Sequence, residues 1–306
     1  MLSTTLLPVA LVILLGLILK HYHFVNDSFW KESDRMVYYV FFPSLLISKI
    51  TSMDLAEVEF VKIGSIVVII LIVLSAALML LQAIRPIEVT TFTSLYQGAI
   101  RFNTFVTLSI IASIWNTPLA LEVAVLVVGI KVLLLNILCV SIFALYVKKS
   151  TSPLKRVSLT LKNPLIISCL IGLLLNWMGV VLPSWLFVSM DLLGKVALPL
   201  GLLSVGAGLV LRYSDWLSYP IVISTVFKLL LAPTAAYLLG NLFALDLISH
   251  QVLVLLFAMP TAISAYILAG QLGGDQATMA KIITIQTLLS AATLSLILYW
   301  IGSTSL

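Results

Sequence analysis

The chain has 306 residues, of which 61% are hydrophobic and only 9% are charged, and its mean hydropathy is +1.19. A soluble protein of this length needs far more charge on its water-facing surface, so the composition excludes that class and predicts an all-α polytopic membrane protein. The net charge of +5 reflects basic residues in loops and does not indicate a nucleic-acid-binding protein.

Windows of about 20 apolar residues predict ten transmembrane helices. They are Thr5–Leu19, Met36–Ile50, Ile63–Leu81, Thr93–Trp115, Pro118–Val147, Pro164–Val181, Gly194–Leu211, Pro220–Leu239, Ile248–Leu268 and Met279–Ile301. The second and seventh spans are short, and we expect Pro43 and Pro199 to break them. Helix-start residues precede three spans, namely Asn163, Asn116 with Thr117, and Asp275. The first run lacks the basic flank and cleavage site of a signal peptide, so we expect it to remain as a span.

Basic residues are distributed unequally between the two sides of these spans. One side collects ten lysines and arginines, namely Lys20, Lys31, Arg35, Arg85, Lys148, Lys149, Lys155, Arg156, Lys162 and Arg212. The other side has three, namely Lys49, Lys62 and Lys195. Because cytoplasmic loops are enriched in lysine and arginine, the loop Lys148–Lys162 is predicted to be cytoplasmic. Both termini are then outside the cytoplasm, in a protein of the cell (inner) membrane.

The two halves of the chain repeat each other at a constant offset of 156 residues. At this offset Pro8 aligns with Pro164, Gly16 with Gly172, and Pro43 with Pro199. Each half holds five spans, an odd number, so the second copy is predicted to be inverted in the membrane. Inverted repeats are typical of secondary transporters, whose binding sites lie near the bilayer midplane. The predicted units are 1–147 and 163–306, joined by the linker 148–162.

Arg101 is a permanent cation inside the fourth span, in the sequence Arg101-Phe-Asn103-Thr104. An arginine at that depth costs several kcal/mol unless it has a partner. One interpretation is that Arg101 reaches the near interface or pairs with a neighbouring side chain. The other is a binding site for an anionic solute, to which Asn103 and Thr104 would also contribute.

Pro260 lies in the ninth span, where the offset of 156 pairs it with Thr104. It removes one backbone hydrogen bond, and the freed carbonyls could face a cavity. The alternative is a simple kink satisfied by Thr261 or Ser264. The repeat favours the first interpretation, in which Pro260, Thr261 and Ser264 complete the anion site.

Two lysines also lie in the middle of apolar spans, Lys131 in the fifth and Lys228 in the eighth. They would give a cavity positive potential, or stabilise broken helices by neutralising their carbonyl ends. A desolvated lysine can also lose its proton and act as a proton carrier.

Enzyme motifs and metal-ligand sets are not found in the sequence. The chain has three histidines, and Cys139 and Cys169 fall in apolar runs as small hydrophobic residues. We therefore expect no enzyme activity, no cofactor and no metal site.

Several segments together resemble the auxin efflux carrier family in its short bacterial form. They are Leu7–Gly16, Val37–Leu46, Asn163-Pro164-Leu-Ile-Ile, Ala197–Gly208 and Arg101-Phe-Asn103-Thr104. The resemblance implies a sodium/proton antiporter-like fold of two inverted five-helix repeats, with helices 4 and 9 broken and crossing. It also implies a homodimer in the lipid bilayer, in which spans 3–5 and 8–10 move as an elevator against a scaffold of spans 1, 2, 6 and 7. The implied substrates are organic anions, such as auxin in plants or malate and malonate in bacteria.

This sequence departs from the family in its fourth span, which lacks the proline that plant carriers have at the crossover. The break would then depend on Asn103 and Thr104, or be absent. The sequence as a whole predicts a secondary transporter of a small organic anion. Two alternatives are a sodium-coupled symporter of the bile-acid type and a membrane receptor that binds the anion without moving it.

Overall fold

The described part of the chain is helical throughout, as expected where no water can pair with backbone groups. The computed structural model describes residues 2–52, 59–115, 117–147, 164–209 and 216–303, and no strand occurs among them. The helices are α1 Leu2–His21, α2 Asp27–Met36, α3 Phe42–Thr51, α4 Phe60–Ile84, α5 Val89–Ile100, α6 Thr104–Ile114, α7 Pro118–Tyr146, α8 Pro164–Trp177, α9 Ser184–Ala207, α10 Tyr219–Val226, α11 Ala232–Leu242, α12 Leu247–Ala258, α13 Ser264–Leu272 and α14 Gln276–Ser303.

Five helical stretches of the described chain are long and apolar enough to cross a membrane, which confirms the predicted protein class. They are Phe60–Ile84, Pro118–Tyr146, Ser184–Ala207, Tyr219–Leu242 and Gln276–Trp300. Shorter apolar helices accompany them, among them Leu7–His21, Ile167–Trp177 and Leu247–Ala258. The predicted start residue Asp275 does cap α14, because its Oδ1 accepts a hydrogen bond from Thr278 N at 3.0 Å. Asn116 and Asn163 lie outside the described residues.

Two π turns, Val37–Phe41 and Phe227–Leu231, join α2 to α3 and α10 to α11. In each turn a backbone N–H donates five residues back, from Phe42 to Val37 O and from Ala232 to Phe227 O. A proline follows each turn by two residues, Pro43 in the first case and Pro233 in the second. Because proline lacks an N–H and crowds the preceding turn, a wider turn accommodates it without ending the helix.

The predicted breaks at Pro43 and Pro199 are therefore wrong. At Pro43 the helix continues through the π turn, and α9 runs through Pro199 over 24 residues. The loss of one hydrogen bond is tolerated in a helix that its neighbours hold in place. The seventh span also starts earlier than predicted, at Ser184. The helical segment of the second span starts earlier than predicted, at Asp27. The prediction missed α2 because its sequence is too polar for a window of apolar residues.

Glycines allow two pairs of helices to pack closely, α1 against α9 and α3 against α8. A Cβ atom added to Gly16 would lie 2.0 Å from Leu203 O, and one added to Gly206 would lie 1.7 Å from Ile13 O. In the second pair, a Cβ on Gly172 would lie 2.8 Å from Ile50 Cβ. Gly16 and Gly172, which the offset of 156 aligns, thus both lie at a close helix contact.

Candidate substrate site at two helix breaks

The fourth predicted span is broken between α5 and α6. Arg101 is extended, with φ −70° and ψ 160°, so α5 ends at Ile100. Asn103 then caps α6, since its Oδ1 accepts hydrogen bonds from Phe105 N at 3.1 Å and Val106 N at 3.2 Å. The capping amide therefore produces the break without a proline, which is the first of the two outcomes that the sequence left open.

The ninth predicted span is broken between α12 and α13. A residue before proline is driven out of the helical conformation, and Met259 accordingly has φ −68° and ψ 141°. The chain resumes a helix only at Ser264. Pro260 thus lies in an extended linker, and the interpretation as a simple kink is wrong.

The two breaks contact each other directly. Asn103 N donates to Pro260 O at 2.7 Å. The buried Thr261 hydroxyl lies 2.6 Å from Gly98 O and 3.2 Å from Arg101 O. Backbone groups that the breaks leave unpaired are therefore satisfied across the contact.

Gln286 on α14 satisfies one side of this contact. Its Nε2 donates to Gly98 O at 3.0 Å and to Ser224 Oγ at 3.2 Å, and its Oε1 accepts from Thr261 N at 3.1 Å. Sequence reasoning missed Gln286, although an amide inside the apolar span Met279–Ile301 is a detectable signal. Its role depends on which backbone groups lie opposite it, and a single span does not reveal them.

Lys131 on α7 satisfies the end of α12, which precedes the second break. Its Nζ donates to Leu256 O at 3.1 Å, within the last turn of α12, where carbonyls lack partners along the helix. The ammonium lies 4.1 Å from the ring centroid of Phe102 and 4.0 Å from that of Phe257. This is the structural role that the sequence allowed for either lysine, and the geometry gives it to Lys131.

Arg101 lies at the first break, partly buried, beside two neutral amides. Nη1 donates to Gln97 Oε1 at 3.4 Å and Nη2 donates to Asn136 Oδ1 at 3.3 Å. Within the described ranges, no carboxylate forms an ion pair with Arg101, Lys131 or Lys228. Arg101 therefore pairs with neighbours that leave its charge uncompensated. A guanidinium has five N–H donors, so donors remain available for an anion.

Gln97 and Asn136 were also missed by the sequence analysis. Gln97 is fully buried, and among the described residues its Nε2 has no hydrogen-bond partner. A buried donor without a partner is costly, and an anion held by Arg101 would offer it an acceptor. The signal was available, since Gln97 precedes Arg101 by one helical turn.

The other predicted residues are placed as follows. Asn103 and Thr261 are buried and engaged at the contact between the breaks. Thr104 is partly buried at the first position of α6. Ser264 is exposed at the start of α13, and in the described chain it makes no hydrogen bond to Arg101. Lys228 is buried in the second π turn, Phe227–Leu231.

Asp275 connects the starts of α5 and α14 at one end of this assembly. Its Oδ2 accepts a hydrogen bond from Thr91 Oγ1 at 3.1 Å, and its backbone O accepts one from Ser94 Oγ at 2.8 Å. Burial acts to raise the pKa of Asp275, but the hydrogen bonds from Thr278 and Thr91 outweigh it and hold the pKa below its ordinary value. The carboxylate is therefore ionised at neutral pH and fixes the first turn of α14.

The site can be compared with known proteins. A family model described as "Membrane transport protein" matches residues 1–298. The chain belongs to this membrane transport family. This is the auxin efflux carrier family that its motifs resemble, and membership makes the chain a transporter-family protein, not an enzyme.

One relative in this family is a protein of Rhizobium meliloti (strain 1021) named "Putative malonate transporter". It is 34% identical over 147 residues, which cover 47% of this chain and 45% of the relative. The chain thus matches less than half of the length of that relative.

Proposed function

We propose that the protein is a secondary transporter of a small organic anion, a mono- or dicarboxylate, that works by alternating access. The observation that carries the proposal is Arg101 at the contact between two broken helices, with neutral amides as its partners. An intramembrane arginine that has no counter-ion among the described residues is a candidate binding group for an anionic substrate. The substrate carboxylate would bind the Arg101 guanidinium, and Gln97 Nε2 would donate a further hydrogen bond to it.

Ten membrane crossings in two inverted repeats are part of this proposal. Three pairs of features support the repeat. Both predicted crossover spans are interrupted, both aligned glycines lie at close helix contacts, and the long helix after each break donates a side-chain hydrogen bond to the break in the other half. Lys131 on α7 donates to Leu256 O before the second break, and Gln286 on α14 donates to Gly98 O before the first.

An elevator movement is supported by how the polar contacts are distributed. Hydrogen bonds tie the two breaks to Ser224 on α10, Lys131 on α7 and Gln286 on α14. The glycine contacts instead join α1 to α9 and α3 to α8. Where the two groups meet, the Phe42 and Phe105 rings pack together, with their centroids 5.0 Å apart. Apolar packing of this kind does not fix the position of one group against the other, so it permits sliding.

The substrate class rests on the charge of the site and on the relative. A guanidinium binds carboxylates through paired hydrogen bonds, and malonate carries two carboxylates. The name of the relative makes malonate the first compound to test. Termini outside the cytoplasm and a homodimer complete the proposal.

Flux into proteoliposomes tests this function. We expect the purified protein to take up labelled malonate or a related carboxylate, and the same compound to stabilise it against thermal unfolding. Stabilisation without flux would indicate a receptor. Flux that requires sodium would indicate a sodium-coupled symporter. If no member of a panel of mono- and dicarboxylates stabilises the protein or is taken up, the proposed function is wrong.

A further inference from the structure

Lys228 is a buried amine for which the described structure provides no acceptor. It lies in the π turn Phe227–Leu231 and is 1% exposed. Among the described residues it forms no hydrogen bond, ion pair or aromatic contact. A charged ammonium in such a place costs several kcal/mol, so the neutral amine is favoured until a negative charge comes close.

Lys131 has the opposite surroundings. It donates to Leu256 O and lies between the Phe102 and Phe257 rings, all of which stabilise a positive charge. The Lys131 ammonium therefore has groups that stabilise its charge, whereas the described residues offer Lys228 none.

The helices around this π turn supply no acid. Those packed against it or flanking it are α5, α10, α11, α12 and α14, and none of the five contains Asp or Glu. Their titratable residues are Tyr96, Tyr219, Tyr237, His250, Lys281 and Tyr299. The Tyr96 hydroxyl is hydrogen-bonded to Ser75 at 2.7 Å, and His250 Nε2 lies 3.0 Å from Tyr237 O. No counter-ion for a second ammonium therefore comes from these helices.

The π turn is linked to the crossing of the broken helices. Ser224, one turn before Lys228, accepts a hydrogen bond from Gln286, which also donates to Gly98 O. Packing at this point is tight, since a Cβ on Gly98 would lie 2.4 Å from Ser224 Oγ. An anion bound at Arg101 would place its negative charge on the same group of packed helices.

We propose that Lys228 is a proton-binding site that couples anion transport to the proton gradient. The inference rests on the proposed function. When the anion site is empty, Lys228 is a neutral amine. When an anion binds, the amine takes up one proton from solution and becomes an ammonium. The anion and the proton are then released together on the other side of the membrane. Because linkage is reciprocal, the proton also tightens anion binding by the same factor.

The experiment measures malonate accumulation in proteoliposomes with and without an imposed acid-outside gradient, at zero membrane potential. A gradient of one pH unit can drive up to about tenfold accumulation per coupled proton. Lys228→Met, which cannot bind a proton, is expected to lose the gradient-driven accumulation and to exchange malonate at equal pH with lower affinity, because the linked proton is absent. Lys228→Arg, which stays protonated, is expected to lose it as well. Lys195→Met, at an exposed lysine paired with Asp191 at 2.7 Å, is the matched control and should behave as wild type.

A second measurement records proton uptake on malonate binding in weakly buffered detergent solution, with a pH indicator dye. Wild type should take up protons, and both Lys228 variants should not, while thermal unfolding verifies that they are folded. Gradient-driven accumulation by Lys228→Met at the wild-type level would overturn the inference. Malonate transport by wild type that does not change with the pH gradient would also overturn the inference. That result would leave the proposed function intact. Absence of any carboxylate binding or flux by wild type contradicts the proposed function, and with it this inference.

Discussion

At the scale of single residues, Arg101 is the side chain that most directly tests the site. We expect Arg101→Lys to weaken malonate binding and Arg101→Gln to abolish it, because an ammonium cannot reproduce the two parallel hydrogen bonds of a guanidinium. Losing a charge-assisted pair costs on the order of 2 kcal/mol or more, which is at least about thirtyfold in affinity. Isothermal titration of malonate into each purified variant measures the effect.

Arg85 offers a control for Arg101, because it is exposed and its guanidinium stacks 4.3 Å from the Tyr219 ring centroid. Arg85→Gln removes an equal charge away from the breaks and should bind as wild type does. Near wild-type affinity in Arg101→Gln would place the anion elsewhere, and Lys131 would then be the next residue to substitute.

Arg101, Lys131, Pro260 and the neighbouring Asn103 and Thr261 could be found in the sequence, whereas the roles of three amides could not. Arg101, Lys131 and Pro260 stand out because each is costly in an apolar span. A neutral amide costs less free energy in an apolar span than a charge does, so it stands out less. The roles of Gln97, Asn136 and Gln286 depend on which carbonyl or guanidinium lies opposite them. That information exists only once α5, α7 and α14 are packed together.

At the scale of helices, the break before α13 depends on Pro260. We expect Pro260→Ala to reduce transport more than it reduces folding, since alanine frees Met259 from its extended conformation and lets α12 continue. Malonate flux and thermal unfolding are compared on the same preparations. Pro199→Ala is the matched control, because α9 already runs through Pro199, and it should leave transport unchanged. A stabilised Pro260→Ala protein with unaltered flux would mean that the break has no part in transport.

The break before α6 depends on the Asn103 cap. Asn103→Ala should lower stability by about 1 kcal/mol, because Phe105 N and Val106 N lose their acceptor. Asn103→Asp keeps a side-chain oxygen and should retain most of the cap. Unfolding in denaturant compares the three proteins, and equal stability of Asn103→Ala and wild type would show that the cap is dispensable.

Helix existence was easier to predict than helix continuity. Pro43 and Pro199 were expected to interrupt helices and do not, whereas the fourth span is interrupted without any proline. A proline removes one hydrogen bond, but whether the helix ends, widens into a π turn or continues depends on what replaces that bond. At the break before α6, the Asn103 side chain accepts hydrogen bonds from the first turn of the helix, and Asn103 N donates to Pro260 O.

At the scale of the whole molecule, the inverted arrangement predicts that the central linker and the C-terminus lie on opposite sides of the membrane. Single cysteines introduced at Ser152 and Ser303 should therefore react with an impermeant thiol reagent from opposite sides. The native Cys139 and Cys169 are buried, so they contribute little background, and the unmodified protein serves as the control. Labelling of both positions from the same side would contradict five spans in each half.

The protein class could be read from composition, and the paired glycines could be read from the offset of 156 residues. The packing partners could not, because the repeat aligns Gly16 with Gly172 but does not reveal that α1 meets α9 while α8 meets α3. Each of these contacts joins a helix of the first half to a helix of the second. The sequence repeat aligns equivalent positions but does not say which helices pack together.

The bonds between the two breaks also impose an order on biosynthesis. Gly98 is synthesised 163 residues before Thr261 and 188 residues before Gln286, the two residues whose side chains donate to its carbonyl. While the ribosome makes the second half, the carbonyl of Gly98 therefore lacks both of these donors. Such a nascent intermediate is a natural client for a membrane chaperone, and a chain cut short before residue 286 would remain one until it is degraded.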